Sequence, residues 1–127
     1  MKKLFVSMPM YGRSLTDATF SLKKMHCLAE LMFGEKLELI DTCLVKELRR
    51  DGIAELARHI QGLKEADYYI GVEDVACEGV WTNCCIENQI AKAYGIPHTL
   101  VDGYTAMPDL KDVRRRLLDK IMENYRF

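Results

Sequence analysis

Excess basic charge is missing from this sequence: 18 lysines and arginines stand against 19 aspartates and glutamates, for a net charge of −1. A nucleic-acid polymer or an anionic membrane surface is held by a surplus of cations, so neither is an expected partner. Small anionic ligands remain open, because a few local groups suffice to hold them. Long apolar runs are missing too, and nothing approaches the roughly 20 residues of a membrane-spanning helix. The opening "MKKLFVSMPMYG" has a short apolar run interrupted by Pro9, which reads as a first strand rather than a leader peptide.

No C-x-x-C spacing occurs among the five cysteines, Cys27, Cys43, Cys77, Cys84 and Cys85. An odd number without paired spacing argues against a disulfide framework, so the expectation is reduced thiols in a cytoplasmic protein. His26, His59 and His98 are scattered, which leaves no metal-ligand spacing. No metal or redox cofactor is expected. The P-loop and dinucleotide fingerprints are absent as well, since the first candidate loop has one glycine and no G-K-S/T. Repeats, linkers and low-complexity segments are absent.

What is present is enough for one domain spanning residues 1–127. A hydrophobic fraction of 49% supplies a core that needs no staples. "KKLFVSM" (2–8) is a short run of β-formers that suits a buried strand. From Ser14 the period changes: Leu15, Ala18, Leu22, Met25, Ala29 and Met32 recur at helical spacing. Ser14 with Asp17 resembles a capping start, and Gly34 a helix stop. "KLELI" (36–40) predicts a second strand. Residues 44–65 read as helical, with a break near Asp51-Gly52 and with Ile53, Leu56, Ile60 and Leu63 on the apolar face of the second piece. "DYYIGVE" (67–73) is a third strand, followed by a loop and a helix from about Asn83 to Tyr94 closed by Gly95. "HTLVD" (98–102) is a fourth strand, and Leu110, Val113, Leu117, Ile121 and Tyr125 line a last helix.

Strands alternating with helices predict an α/β, three-layer Rossmann- or flavodoxin-like fold. Its parallel sheet has four to five strands and carries helices on both faces. The expected order is 2-1-3-4. Ligands of such sheets bind at the carboxyl ends of the strands where the order reverses. That places "SMPMYGR" (7–13) opposite "VEDVACEGVWTN" (72–83), with Glu87 on the helix that leaves the second loop.

Each candidate has a plain alternative. Ser7, Gly12 and Arg13 can give a hydroxyl, a backbone N–H and a guanidinium to a phosphate or sugar, or can form an ordinary β-α turn. Glu87 alone is most simply a solvated helix glutamate near a helix N-terminus. Asp74 alone is a turn residue. Together the two carboxylates flank one crevice, as glycosidic-bond chemistry requires. Cys84 and Cys85 read as packing rather than as nucleophiles, because no histidine lies near them in sequence. Trp81, Tyr11, Tyr68 and Tyr69 are candidates for stacking on a base, although Tyr68 and Tyr69 point to opposite sheet faces and one belongs to the core. Arg114, Arg115 and Arg116 read as a solvated helix face.

Cys84, Glu87, Ala91, Gly95, Ile96 and Pro97 form the pattern C-x-x-E-x-x-x-A-x-x-x-G-I-P. This resembles the signature helix of the nucleoside 2-deoxyribosyltransferase superfamily. The strand leading into "SMPMYG" and the segment "EADYYIGVED" resemble a small, largely uncharacterised branch of it found in phages and bacteria. The similarity runs in order over nearly the whole chain. It implies a nucleoside or nucleotide ligand and a glutamate nucleophile at C1′ of the sugar. By that resemblance Glu87 is the nucleophile and Asp74 the acidic residue after the third strand. Ser7, Met10 and Gly12, within a segment that also holds Pro9, Tyr11 and Arg13, line the sugar and phosphate side. Asp41 reaches the ligand from the end of the second strand. Where the family has a glycine-rich loop before the glutamate, this chain has Trp81-Thr82-Asn83. The close backbone approach of glycine is lost, while Thr82 and Asn83 keep donors available.

The expected function is therefore an enzyme of the N-glycosidic bond, a deoxyribosyltransferase or N-glycoside hydrolase. Two alternatives stay open: a non-catalytic protein that sequesters a nucleotide signal, and an adaptor domain without a ligand. Size and resemblance also imply a homo-oligomer, with Ile121, Met122, Tyr125 and Phe127 available for its interface.

Overall fold

The computed structural model describes residues 1–8, 14–40, 52–75 and 77–103. Strand β1 (Lys2–Val6), helix α1 (Leu15–Phe33), strand β2 (Leu37–Leu39), helix α2 (Gly52–Glu65), strand β3 (Tyr68–Val72), helix α3 (Thr82–Ala93) and strand β4 (His98–Val101) follow in that order, with one 3-10 turn at Gly79–Trp81 before α3. All strand pairs are parallel and the sheet order is β2-β1-β3-β4. This is the Rossmann- and flavodoxin-like α/β arrangement expected from the alternation of elements. No described helix is long and apolar enough to cross a membrane. The N-terminal piece of the expected second helix (44–51), the last helix (110–125), the arginine run at 114–116 and the final apolar segment lie outside the described residues.

The period-2 alternation of β1 sorts its side chains between two cores. Leu4, Val6 and Met8 join Leu22, Met25 and Ala29 of α1, with Leu37, Ile70 and Val72, on one face. Phe5 joins Tyr69, Leu63 of α2 and Ala91 of α3 on the other. Tyr69 is thus the core member of the tyrosine pair. Tyr68 lies on the opposite face, stacked on Phe33 with centroids 4.3 Å apart.

Helix α1 begins and ends as its sequence signals. Ser14 accepts from the Asp17 N–H at 3.1 Å, and Gly34 closes the helix at φ 75°, donating its N–H to the Glu30 carbonyl. The expected apolar face narrows at both ends, however, with Leu15 and Met32 exposed and only Ala18, Leu22, Met25 and Ala29 buried among the six. A 19-residue helix overhangs strands of three to five residues, so its terminal turns have no sheet beneath them. In α2 the expected stripe is rotated. Leu63 is buried, but Ile53 is 82% exposed and Ile60 is exposed as well, and His59 takes the inward place beside it.

A polar joint ties α1 to β2. The Leu37 N–H donates to Glu30 Oε2 at 2.9 Å, while His26 Nε2 lies 2.7 Å from the Leu37 carbonyl oxygen. The Leu37 amide holds the Glu30 carboxyl below the ordinary glutamate range; desolvation opposes it, and His26 and Lys36 add to it. A carboxyl held low in the folded chain stabilises it fully above its unfolded pKa, and that contribution is lost as pH falls through the folded value. Glu30→Gln should therefore flatten the acid limb of the stability profile. Urea midpoints measured from neutral pH down to about pH 3 should fall more steeply in the wild type than in the variant.

Candidate functional site

The sheet order reverses between β1 and β3, and Ser7 and Asp74 stand at the carboxyl ends of those two adjacent strands. Ser7 follows β1 directly and continues the ladder, its N–H donating to the Ile70 carbonyl at 2.9 Å. Asp74 follows β3 at the same carboxyl edge of the adjacent strand. By alternation Ser7 shares the face of Phe5, which α2 and α3 cover. Its hydroxyl donates to Glu87 Oε1 at 2.9 Å in a buried hydrogen bond.

Glu87 is 3% exposed, so it is not the solvated helix residue that its position alone suggested. Its second oxygen lies 3.3 Å from His59 Nδ1 of α2. An ionised carboxylate only accepts, so with Glu87 ionised His59 carries its proton on Nδ1. The imidazole also meets the edge of Phe5, with ring centroids 6.1 Å apart. His59 Nε2 is buried without a hydrogen-bond partner among the described residues. Sequence reasoning missed His59 because 28 residues separate it from Glu87. The available signal was its spacing, three residues after Leu56 and four before Leu63, on a stripe that otherwise reads as apolar.

Next to Glu87, Asn88 forms a second buried contact. Its amide donates to the Val72 carbonyl at 2.8 Å, and its carbonyl oxygen accepts from the Tyr69 hydroxyl. Tyr69 in turn stacks on Phe5, centroids 5.8 Å apart and planes 9° from parallel. Gly71 makes this possible: a Cβ there would collide with the Asn88 carbonyl oxygen and the Tyr69 ring.

The remaining candidates are placed as follows. Asp74 is exposed, adopts a left-handed φ of 55°, and makes no hydrogen bond or ion pair among the described residues. A short polar side chain tolerates that conformation, which suits a tight turn out of β3. Trp81 is half-buried and packs with Val75 against the α1-side cluster. Thr82 begins α3 and donates its hydroxyl to the Gly79 carbonyl at 2.9 Å; Asn83 is half-buried in the same turn. Pro9, Met10, Tyr11, Gly12, Arg13 and Asp41 lie outside the described residues.

The expectation of reduced cysteines is corrected at one pair. Cys77 and Cys85 form a disulfide with Cα atoms 5.3 Å apart. The loop after β3 folds back onto the start of α3 and brings together residues that no motif spacing marked. Cys27 and Cys84 remain thiols, the first exposed and the second buried, and Cys43 lies outside the described residues. Cys85 is buried too, in keeping with packing roles for the adjacent pair. Among the described residues no group of three His, Cys, Asp or Glu side chains is positioned to hold a metal ion.

No protein-family model, curated protein or solved structure matches the chain.

Gly71→Ala tests the packing beneath the site. The added methyl displaces either Asn88 or Tyr69, and overpacking of this kind costs about 1–3 kcal/mol. Chemical denaturation should show that loss, and Asn88→Ala should cost less in the Gly71→Ala background than in the wild type, because the added methyl has already disturbed the same contact. A Gly71→Ala chain as stable as wild type would mean that the Tyr69–Asn88 contact does not fix α3.

Proposed function

We propose that this protein acts on the N-glycosidic bond of a nucleoside or nucleotide, with Glu87 as the nucleophile. The observation that carries the reading is a buried carboxylate at the switch point of a parallel sheet, oriented through both oxygens by Ser7 and His59. In a fold of this kind the crevice at the strand carboxyl ends is the usual ligand position. The resemblance of the Glu87 helix to that of the deoxyribosyltransferases supports the same role.

In the proposed reaction a Glu87 oxygen forms a bond to C1′ while the C1′–N bond breaks, and its electron pair leaves with the base. Asp74, exposed two residues after β3, is the proposed manager of the proton that the departing base requires. Water attacking C1′ completes a hydrolase cycle; a second base completes a transferase cycle. Ser7 and His59 hold the carboxylate in one orientation, so little reorganisation accompanies attack. Arg13 is the proposed partner of a 5′-phosphate. A homo-oligomer belongs to the same proposal, and a single monomeric species in sedimentation at working concentration would remove it.

A second reading, a nucleotide binder without turnover, is favoured by two observations. Glu87 is almost fully buried with both oxygens engaged, and Trp81-Thr82-Asn83 stands where the enzymes that the chain resembles have a glycine-rich loop. Glu87→Gln separates the two. The amide keeps the shape of the side chain but cannot attack. Loss of a covalent nucleophile should lower base release by about two or more orders of magnitude, equivalent to at least roughly 2.7 kcal/mol of transition-state stabilisation. Ligand affinity should stay within a few fold. Tight binding of a nucleotide by a wild-type protein that releases no base would establish the binder instead.

A further inference from the structure

We propose that the Cys77–Cys85 disulfide is a reducible clasp that fixes the β3–α3 loop and opens by exchange with a small or protein dithiol. The bridge joins residues eight apart. The segment it closes includes Trp81, Thr82 and Asn83, and Cys85 stands two residues before Glu87. The two sulfurs differ in environment. Cys77 is exposed, whereas Cys85 is buried in the opening turns of α3. Gln89, one turn further along α3, directs its side-chain amide at both, 3.2 Å from Cys85 Sγ and 3.5 Å from Cys77 Sγ.

This asymmetry sets the direction of exchange. An incoming thiolate reaches the Cys77 sulfur, forms a mixed disulfide with it, and breaks the S–S bond. The bond's electron pair passes to Cys85 Sγ, which leaves as a thiolate. There it meets the Gln89 N–H and the positive end of α3, both of which favour negative charge, and a better-stabilised leaving thiolate departs faster. The second thiol of the dithiol then attacks its own sulfur in the mixed disulfide and releases Cys77. In sum, two electrons and two protons pass from the dithiol to the pair, leaving two cysteine thiols and an oxidised dithiol. With the cross-link gone, the loop regains the conformational freedom that the short ring had removed. The clasp rests on the bridge and its surroundings alone and does not depend on the glycosidic-bond reading.

The test uses the intact protein equilibrated in dithiothreitol redox buffers, with thiols trapped by an alkylating reagent and mapped by mass spectrometry. Cys77 and Cys85 should become alkylated together, with a two-electron dependence, while buried Cys84 stays protected. Backbone hydrogen exchange across residues 77–85 should accelerate by about tenfold or more on reduction, with β1 and β3 unchanged. Cys77→Ser should show the fast exchange in both buffers. Gln89→Leu should slow reduction by at least about threefold through loss of the amide at the leaving sulfur. Cys77 and Cys85 found as thiols after full oxidation, or exchange across 77–85 that does not respond to reduction, would overturn the clasp. An unchanged reduction rate in Gln89→Leu would overturn the leaving-group mechanism.

Discussion

The attachment of α3 to the carboxyl end of the sheet depends on two consecutive polar residues turned inward. A helix covering a parallel sheet normally presents an apolar stripe, yet α3 presents Glu87 and Asn88 between Cys84 and Ala91. Removing a carboxylate or an amide from water costs several kcal/mol unless its hydrogen bonds are replaced, so each must find partners at once. Ser7 and His59 meet Glu87, and Tyr69 and Val72 meet Asn88. Those partners come from β1, α2 and β3, which fixes how α3 sits on each of them. A slide of one residue along the sheet would strand both side chains, whereas an apolar contact would tolerate it. The registry of the β3–α3 unit is therefore polar in origin.

The strands are arranged to accept these groups. Phe5 and Ser7 of the first strand region share one face, as do Tyr69 and Gly71 of β3, and the parallel register sets Phe5 against Tyr69. The flat Phe5–Tyr69 stack carries the Tyr69 hydroxyl to Asn88, while Gly71 leaves the volume that Asn88 fills. At the end of β1 the aromatic ring and the hydroxyl divide the work: Phe5 meets His59 in a T-shaped contact, and Ser7, just past the strand, supplies the donor to Glu87. Both α2 and α3 lie on this face because the chain returns past β1 to form β3 and then β4 on the same side. That common face is the reason a histidine of α2 can reach a glutamate of α3.

Elements built from local rules were legible in the sequence. The Ser14 cap and the Gly34 stop are decided within four residues of backbone, and the strand order follows from the alternation of strands and helices together with the handedness of crossovers. The position of Ser7 and Asp74 on neighbouring carboxyl ends followed from the same topology. Long-range contacts were not legible. His59 lies on a helix face where Ile60 competes for the inward place, and only the buried carboxylate of α3 decides between them. The Cys77–Cys85 pairing depends on how the loop after β3 folds back, for which spacing carries no signal. Asn88, adjacent to Glu87, is read as core only once Gly71 is seen to leave room for it.

The two polar contacts of α3 differ in one respect that bears on their roles. Around Asn88, the amide and its carbonyl each have a protein partner, and the group is closed between strand and helix. Around Glu87 the chain of contacts passes through His59 and ends at a buried Nε2 with no partner among the described residues. A buried nitrogen with no partner at all costs about 1–3 kcal/mol, so the partner of this one is to be sought beyond the described residues, in water or in a ligand. Sites that bind or react are where such local rules are broken and compensated elsewhere. The neighbouring Asn88 contact is a second attachment of α3, to Tyr69 and Val72 of β3. Asn88 is thus closed within the fold, whereas Glu87, Ser7 and His59 form the chain of contacts on which the proposed chemistry depends.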